Sequence, residues 1–401
     1  MRASGRKNAA VAVIPAALLA EGPSVLENLP DIKDVHTYGE ILEELGGAVR
    51  WLGKGRLEIN PNSFSTYQAP YELVKRLRAS YYLLGVLLAR FGRAEVSLPG
   101  GCDIGLRPID QHLKGFRALG AEAEISHGVV RLEARQLRGA SVYLDVVSVG
   151  ATINIMMAAT LARGTTVIEN AAKEPHVVDL ANYLSAMGAQ IRGAGTDVIK
   201  IRGVSRLKGA AHAIIPDEIE AATYMIAAAG TGGDVTVENV IPKHLDPITA
   251  KLREAGAEVE ENGDCIRVRG TGRPKAVNIK TLPYPGFPTD AQQPMTALLS
   301  MASGTSLVTE SIWERRFRHV DELKKMGSNI RVEGRTAIIE GVERLSGAPV
   351  TVTDLRGGAA LVVAGLMAEG TTLVEGIERV DRGYESLEKK LAALGARVER
   401  D

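Results

Sequence analysis

The 401 residues predict an α/β (α+β) chain of two domains, each of three repeated units, and three observations carry that prediction. The first is a short phrase, an apolar pair ahead of Gly and then a small residue and a β-like run, that recurs six times. Its copies are Leu45-Gly46-Gly47-Ala48-Val49, Leu119-Gly120-Ala121-Glu122-Ala123, Met187-Gly188-Ala189-Gln190-Ile191, Ala255-Gly256-Ala257-Glu258-Val259, Met326-Gly327-Ser328-Asn329-Ile330 and Leu394-Gly395-Ala396-Arg397-Val398. Their first glycines are spaced by 74, 68, 68, 71 and 68 residues, so the period fills the chain. The second is another glycine phrase ahead of each copy. Gly22, Gly164 and Gly232 stand 24 residues before it, and Gly92, Gly304 and Gly370 stand 28, 23 and 25 before it. The third is an apolar stretch before each of those glycines, at residues 9–20, 81–89, 154–162, 224–230, 295–303 and 359–368.

Each unit then reads, in order, as buried helix, Gly turn, strand, loop, amphipathic helix, Gly C-cap and strand. The first helix is apolar on all sides and belongs inside a domain. Gly22-Pro23-Ser24-Val25-Leu26-Glu27-Asn28 and Gly164-Thr165-Thr166-Val167-Ile168-Glu169-Asn170 supply the turn and the first strand. In residues 246–259, Ile248, Leu252 and Ala255 line one helix face at spacings of four and three, and Gly256 ends it. A β-rich tail closes the unit, as at residues 196–203 and 265–269. Six units over two domains give three per domain, a length of repeat too great for a thin solenoid.

Composition narrows the function. Lys+Arg and Asp+Glu both number 48, a balance that argues against a dedicated binder of nucleic acid or anionic membrane. Two cysteines, Cys102 and Cys265, cannot frame a disulfide-stapled fold, so a cytoplasmic location is expected. Residues 1–22 have the look of a secretory signal, with Arg2, Arg6 and Lys7 before an apolar run. The repeat assigns that run instead to the first unit's buried helix. No other apolar run approaches the roughly 20 residues a membrane crossing needs.

The residues ahead of the six buried helices are candidates for chemistry. Lys7-Asn8, Arg78, Ser148 with Val149, Asp217, Asp290 and Arg356 stand there, where free N–H groups and the helix dipole favour anions. For Ser148 and Asp217, simple N-capping is an equal reading. For Lys7, Arg78 and Arg356 it is weaker, because a cation there is unfavourable without an anion nearby. Cys102 lies in the Gly-rich stretch Pro99-Gly100-Gly101-Cys102-Asp103-Ile104-Gly105-Leu106-Arg107-Pro108-Ile109-Asp110, ahead of a helix over 111–119. A cysteine between glycines has little packing value, and Asp103 beside it favours the protonated thiol, which can serve as a general acid. Arg107 suits an anionic ligand, whereas Cys265, in a strand, reads as structural. Asp290 is read either as a cap or as a general base. Among Arg315, Arg316 and Arg318, charge alone makes no choice; Asp381-Arg382-Gly383-Tyr384 is expected to open the last helix. No spacing argues for a metal, and there is neither a Walker loop nor a GxGxxG after a strand.

Lys7-Asn8-Ala9-Ala10, the Cys102 stretch through Asp110, residues 148–152, 287–290, Asp354-Leu355-Arg356 and 381–385 resemble, in order and over nearly the whole chain, the signature segments of the UDP-N-acetylglucosamine 1-carboxyvinyltransferase family. The resemblance implies two inside-out α/β barrels of three units each. Residues 8–216 would form the first domain with the Cys102 loop, residues 1–7 and 217–401 the second, with the active site in the cleft. It implies transfer of enolpyruvyl from phosphoenolpyruvate to the 3′-hydroxyl of UDP-N-acetylglucosamine with release of phosphate, the first committed step of peptidoglycan synthesis, without cofactor or metal. By motif position, Cys102 would protonate the enolpyruvyl methylene and be the target of the epoxide fosfomycin, and Asp290 would take the hydroxyl proton. Lys7, Arg107 and Arg382, with Arg356 and Arg316, would hold phosphoenolpyruvate. Asn8, Arg78, Arg107, Pro108, Ile109, Asp110, Gln111, Val146, Val147, Ser148, Val149, Asp290 and Ile312 correspond to nucleotide-sugar positions.

The sequence departs from the family pattern in places. Arg6 replaces a small residue, Val146 stands where some members carry Lys, and Ala221-Ala222 precede Thr223 where Gly-Thr is usual. Members of the family begin ahead of the position of Met1, with a strand that the resemblance assigns to the second domain. Two alternatives are weighed. 5-Enolpyruvylshikimate-3-phosphate synthase shares the six-unit design but uses no loop cysteine, and a silent UDP-sugar-binding regulatory paralogue would have no need of Lys7, Cys102, Asp290 and Arg382 together.

Overall fold

The computed structural model describes residues 1–98 and 108–400. These divide into two compact units. The N-terminal unit holds residues 5–98 and 108–215, and the C-terminal unit holds residues 1–4 and 216–400. Each encloses its own apolar core. Within the N-terminal unit Arg6 N donates to Ile215 O (2.7 Å), and within the C-terminal unit Asp217 N donates to Ser4 O (2.9 Å).

The N-terminal unit is built on three mostly buried helices, Lys7–Ala16, Leu83–Phe91 and Val149–Ala159, with half-buried residues only at their ends. Around them lie small sheets. Strands Ser24–Glu27, Arg56–Asn60 and Ala48–Gly53 run antiparallel in that order, with Ala211–Ala213 added parallel at the edge. Arg93–Ser97, Val129–Glu133 and Glu122–Ser126 form a second antiparallel sheet. In the third, Val198–Arg202 lies between Gln190–Arg192 and Thr165–Glu169, and Ser141–Tyr143 pairs parallel with the latter. The C-terminal unit uses helices Glu218–Thr231, Gln292–Leu299 and Leu355–Met367 in the same way. Its sheets are Asp234–Glu238, Cys265–Arg269 and Glu258–Asn262; Ile279–Lys280, Thr305–Thr309, Thr336–Glu340 and Asn329–Glu333; and the parallel pair Pro349–Thr351 and Leu373–Glu375.

The recurring phrases have conformational reasons. The six glycines at 46, 120, 188, 256, 327 and 395 all take φ between +90° and +108°, just past an amphipathic helix, where a side chain would be strained. The asparagines that close the Gly phrases, Asn28, Asn170 and Asn239, are left-handed at φ +55° to +56°. Each donates its amide to a backbone carbonyl alongside, Ile214 O (2.7 Å), Leu144 O (2.8 Å) and Ala3 O (2.8 Å). Residues 9–16 are a buried helix rather than an exposed leader-like segment. Among the described residues no helix is long and apolar enough to cross a membrane.

Two local expectations are corrected. The buried helices at Val149, Glu218 and Leu355 start four to six residues ahead of their apolar runs, because Ser148, Asp217 and Asp354 cap them there. The last helix is Leu387–Ala393, not an element opening at Asp381. Residues 380–386 form a turn, with Ser386 left-handed at φ +47°, and Asp381 is engaged by Arg400 at 2.9 and 2.6 Å.

Candidate active site

In the C-terminal unit the structure makes the choice among the three arginines that charge could not. Arg315 and Arg318 are exposed, but Arg316 is buried and donates Nη2 to Asp290 Oδ1 at 2.7 Å. Arg356, from the first turn of its helix, reaches the other oxygen, Oδ2, with Nε and Nη2 both at 3.3 Å. Asp290 therefore lies between two guanidinium groups from segments far apart in sequence, and it keeps 26 % side-chain exposure against 4 % and 3 % for its partners. It sits in the one-turn 3₁₀ segment Thr289–Ala291, which follows Pro288. Gln293, with its amide oriented to satisfy both neighbours, accepts from Arg316 Nε and donates to Thr289 O (3.1 Å).

Arg356 also lies 5.2 Å from the centre of the Tyr384 ring, and the Tyr384 hydroxyl shares a 2.8 Å hydrogen bond with Thr223 Oγ1. Burial alone would lower the Arg356 pKa, but Tyr384 and Asp290 outweigh it, so the net shift is upward and the charge is kept. Among the described residues its Nη1 meets no hydrogen-bond acceptor, a buried donor beside the carboxylate that suits an anionic ligand. Asp217 and Asp354 act as caps: Asp217 Oδ1 accepts from Ile219 N and Glu220 N (2.9 and 3.0 Å), and Asp354 Oδ1 from Arg356 N and Gly357 N (both 3.1 Å). Asp354 thereby fixes the backbone that carries Arg356. Ile312 follows the strand Thr305–Thr309, half-buried, its N–H bound to Glu310 at 2.8 Å. Arg382, half-buried, lies in the 380–386 turn.

In the N-terminal unit, Lys7 opens its helix and pairs with Asp34 at 2.9 Å. That helix, which also carries half-buried Asn8, packs against the 3₁₀ turn Arg78–Tyr82 and the helix Lys33–Glu44. Pro108 and Ile109 lead into the helix Asp110–Ala118. Gln111 joins this segment to the one before Val149–Ala159. Its Nε2 donates to Asp110 Oδ2 (2.7 Å) and Asp145 Oδ2 (3.1 Å), and its Oε1 accepts from Asp145 N (2.9 Å). Val146 and Val147, next in line, are 59 % and 39 % exposed, and Ser148 Oγ caps the helix from Ala151 N (3.3 Å). Beneath them buried Asn154 ties three elements together. It accepts from Gly85 N (2.8 Å), donates to Tyr81 O (3.1 Å), and contacts His112 Nδ1 (3.0 Å). With its oxygen taken by Gly85, its amide must donate to Nδ1, which leaves the His112 proton on Nε2.

Cys102 and Arg107 lie outside the described residues. Cys265 opens the central strand Cys265–Arg269 of its sheet, its thiol pKa raised by partial burial first and then by the Asp264 hydrogen bond at 3.5 Å, which keeps it a thiol. Asp34, Gln293, Glu310 and Asn154 escaped the sequence reading. A lone buried acid or amide carries no motif, and its partners lie too far along the chain for spacing to show.

The profile of the EPSP synthase (3-phosphoshikimate 1-carboxyvinyltransferase) family matches residues 1–391. The chain is 62 % identical over 395 residues to UDP-N-acetylglucosamine 1-carboxyvinyltransferase 3 of Caldanaerobacter subterraneus subsp. tengcongensis, covering 98 % of this chain and 94 % of that one. It is 59 % identical over 398 residues to UDP-N-acetylglucosamine 1-carboxyvinyltransferase of Clostridium botulinum, covering 99 % and 95 %. Among solved structures it is similar to the enolpyruvyl transferase NikO from Streptomyces tendae, with TM-score 0.90, 26 % identity and coverage of 100 % and 95 %. The mixed α/β architecture is thus that of the enolpyruvyl transferases, and the chain belongs to the UDP-N-acetylglucosamine 1-carboxyvinyltransferase family.

Proposed function

We propose that the chain transfers the enolpyruvyl group of phosphoenolpyruvate to the 3′-hydroxyl of UDP-N-acetylglucosamine and releases phosphate, as the first committed step of peptidoglycan synthesis in the cytoplasm. When the hydroxyl oxygen bonds to C2 of phosphoenolpyruvate, the double-bond pair takes a proton at C3. Loss of phosphate then restores the double bond as C3 gives a proton up. The reaction needs one base at the hydroxyl, one acid–base group at C3 and cations for carboxylate and phosphate. Asp290 is the base, Cys102 the group at C3, and Lys7, Arg107 and Arg382 with Arg316 and Arg356 hold the anion. Asn8, Arg78, Arg107, Pro108, Ile109, Asp110, Gln111, Val146, Val147, Ser148, Val149, Asp290 and Ile312 hold the nucleotide sugar.

The observation that carries the assignment is the Asp290 carboxylate fixed by two buried arginines, one of which has a donor without an acceptor among the described residues. The Gln111–Asp145 bonds and the exposed pair Val146–Val147 support the sugar-nucleotide reading of that surface. For the architecture we read each unit as an inside-out barrel of three repeats, which the recurring order of buried helix, strand, helix and hairpin supports. The experiment is phosphate release from phosphoenolpyruvate, with and without UDP-N-acetylglucosamine and with shikimate 3-phosphate as control. Release that requires the UDP-sugar and stops after fosfomycin or in Cys102→Ala is the expected result. Release with shikimate 3-phosphate alone, or from neither acceptor, refutes the reading.

A further inference from the structure

We propose that Glu310 is a positioning residue for this reaction, holding Asp290, Ile312 and Arg316 in one arrangement through its buried carboxylate. The inference rests on the role given to Asp290 above. Glu310 follows the strand Thr305–Thr309 and is 1 % exposed. Its Oε1 accepts from Thr281 Oγ1 (2.8 Å), Ile312 N (2.8 Å) and Trp313 N (3.1 Å), and its Oε2 accepts from Thr289 Oγ1 (2.8 Å). Thr281 Oγ1 accepts in turn from Ser311 N at 2.8 Å, so the turn after the strand is held at three successive N–H groups.

These four donors are neutral and come from three separate segments. Thr289 precedes Asp290 directly, Ile312 is a proposed sugar contact, and Arg316 lies four residues beyond it on the same loop. A buried carboxylate is costly unless its lone pairs are filled, and here hydroxyl and backbone donors fill them. Neither the apolar core nor the Arg316–Asp290 ion pair needs such a group. What it adds is register: Thr289 is bonded to one oxygen and the loop to the other, so base and arginine cannot shift independently.

The test compares wild type, Thr289→Val, Thr289→Ser, Glu310→Gln and the double variant E310Q/T289V in steady-state phosphate release, varying each substrate, alongside thermal unfolding. Thr289→Val removes one hydroxyl at constant shape and is expected to lower kcat about 10-fold or more, since small misplacements of reacting groups are costly. The KM for phosphoenolpyruvate should stay near wild type, the Tm should fall because a buried carboxylate oxygen loses its donor, and Thr289→Ser, which keeps the hydroxyl, should restore both rate and Tm. The double variant should be no slower than the slower single variant, because both substitutions act through the same Glu310–Thr289 contact. Wild-type kcat in Thr289→Val, a kcat loss that vanishes when the assay is run well below the variant's Tm, no rescue by serine, or additive losses each overturn the proposal. A wild-type enzyme that releases no phosphate with the UDP-sugar overturns the proposed function itself, a result distinct from all of these.

Discussion

At Asp290 two guanidinium groups fix both oxygens of a carboxylate that still meets solvent. A base must be both oriented and reachable, and this geometry supplies both. Asp290→Asn keeps the shape but loses the proton acceptor, so kcat should drop by about 10²–10⁴, the range of general-base contributions. The same change leaves Arg316 and Arg356 facing an uncharged amide. Stability should fall, by less than the roughly 3–5 kcal/mol of a fully buried pair because Asp290 is partly exposed. Rate measurements and urea unfolding of one sample separate the two effects; an Asn variant with wild-type kcat would remove Asp290 from the proton transfer.

The elements are joined by asparagines as much as by apolar packing. Asn170 takes a left-handed conformation that lets the strand Thr165–Glu169 end, and its amide fills the Leu144 carbonyl. Asn170→Ala loses both and is expected to cost about 2 kcal/mol, the sum of a left-handed alanine and a lost hydrogen bond. Asn170→Gly keeps the conformation and loses only the bond, so it should cost about half as much. Equal losses in the two variants, read as urea midpoints, would show that the backbone conformation is not what selects asparagine. Helix starts follow the same polar logic, since Ser148, Asp217 and Asp354 each seat a first turn outside the apolar run.

Across the molecule each unit buries a neutral histidine. Burial lowers the pKa of His112 and of His319 from 6.5 to about 4; at His319 the Arg316 charge adds to the effect and Asp354 opposes it. Folded imidazoles thus bind fewer protons than unfolded ones between about pH 6.5 and 4. The stability they contribute is fully present above pH 6.5 and is lost as the pH falls through that window. Each histidine gives a slope of up to about 1.4 kcal/mol per pH unit. Urea midpoints should therefore decline from pH 6.5 to 5, above the range where most carboxylates titrate. A flat profile there would mean that both rings stay protonated or solvated in the folded chain.

How much of this was legible in sequence depended on range. Glycines and asparagines that must take positive φ are chosen by their own backbone, so their period was readable without a partner, and so were the buried helices and the Cys265–Arg269 strand. The segments bearing Lys7 and Arg356 could be singled out because a cation at a helix start is locally anomalous. Charge made no choice among Arg315, Arg316 and Arg318 and only the resemblance pointed to Arg316; tertiary structure joined Arg316 to Asp290, supplied Asp34 to Lys7, and gathered Thr281, Thr289 and the 311–313 turn on Glu310. Local conformation is dictated by each residue's own sterics, whereas burial of a charge and the choice of its partner depend on which distant segments the folded core brings together.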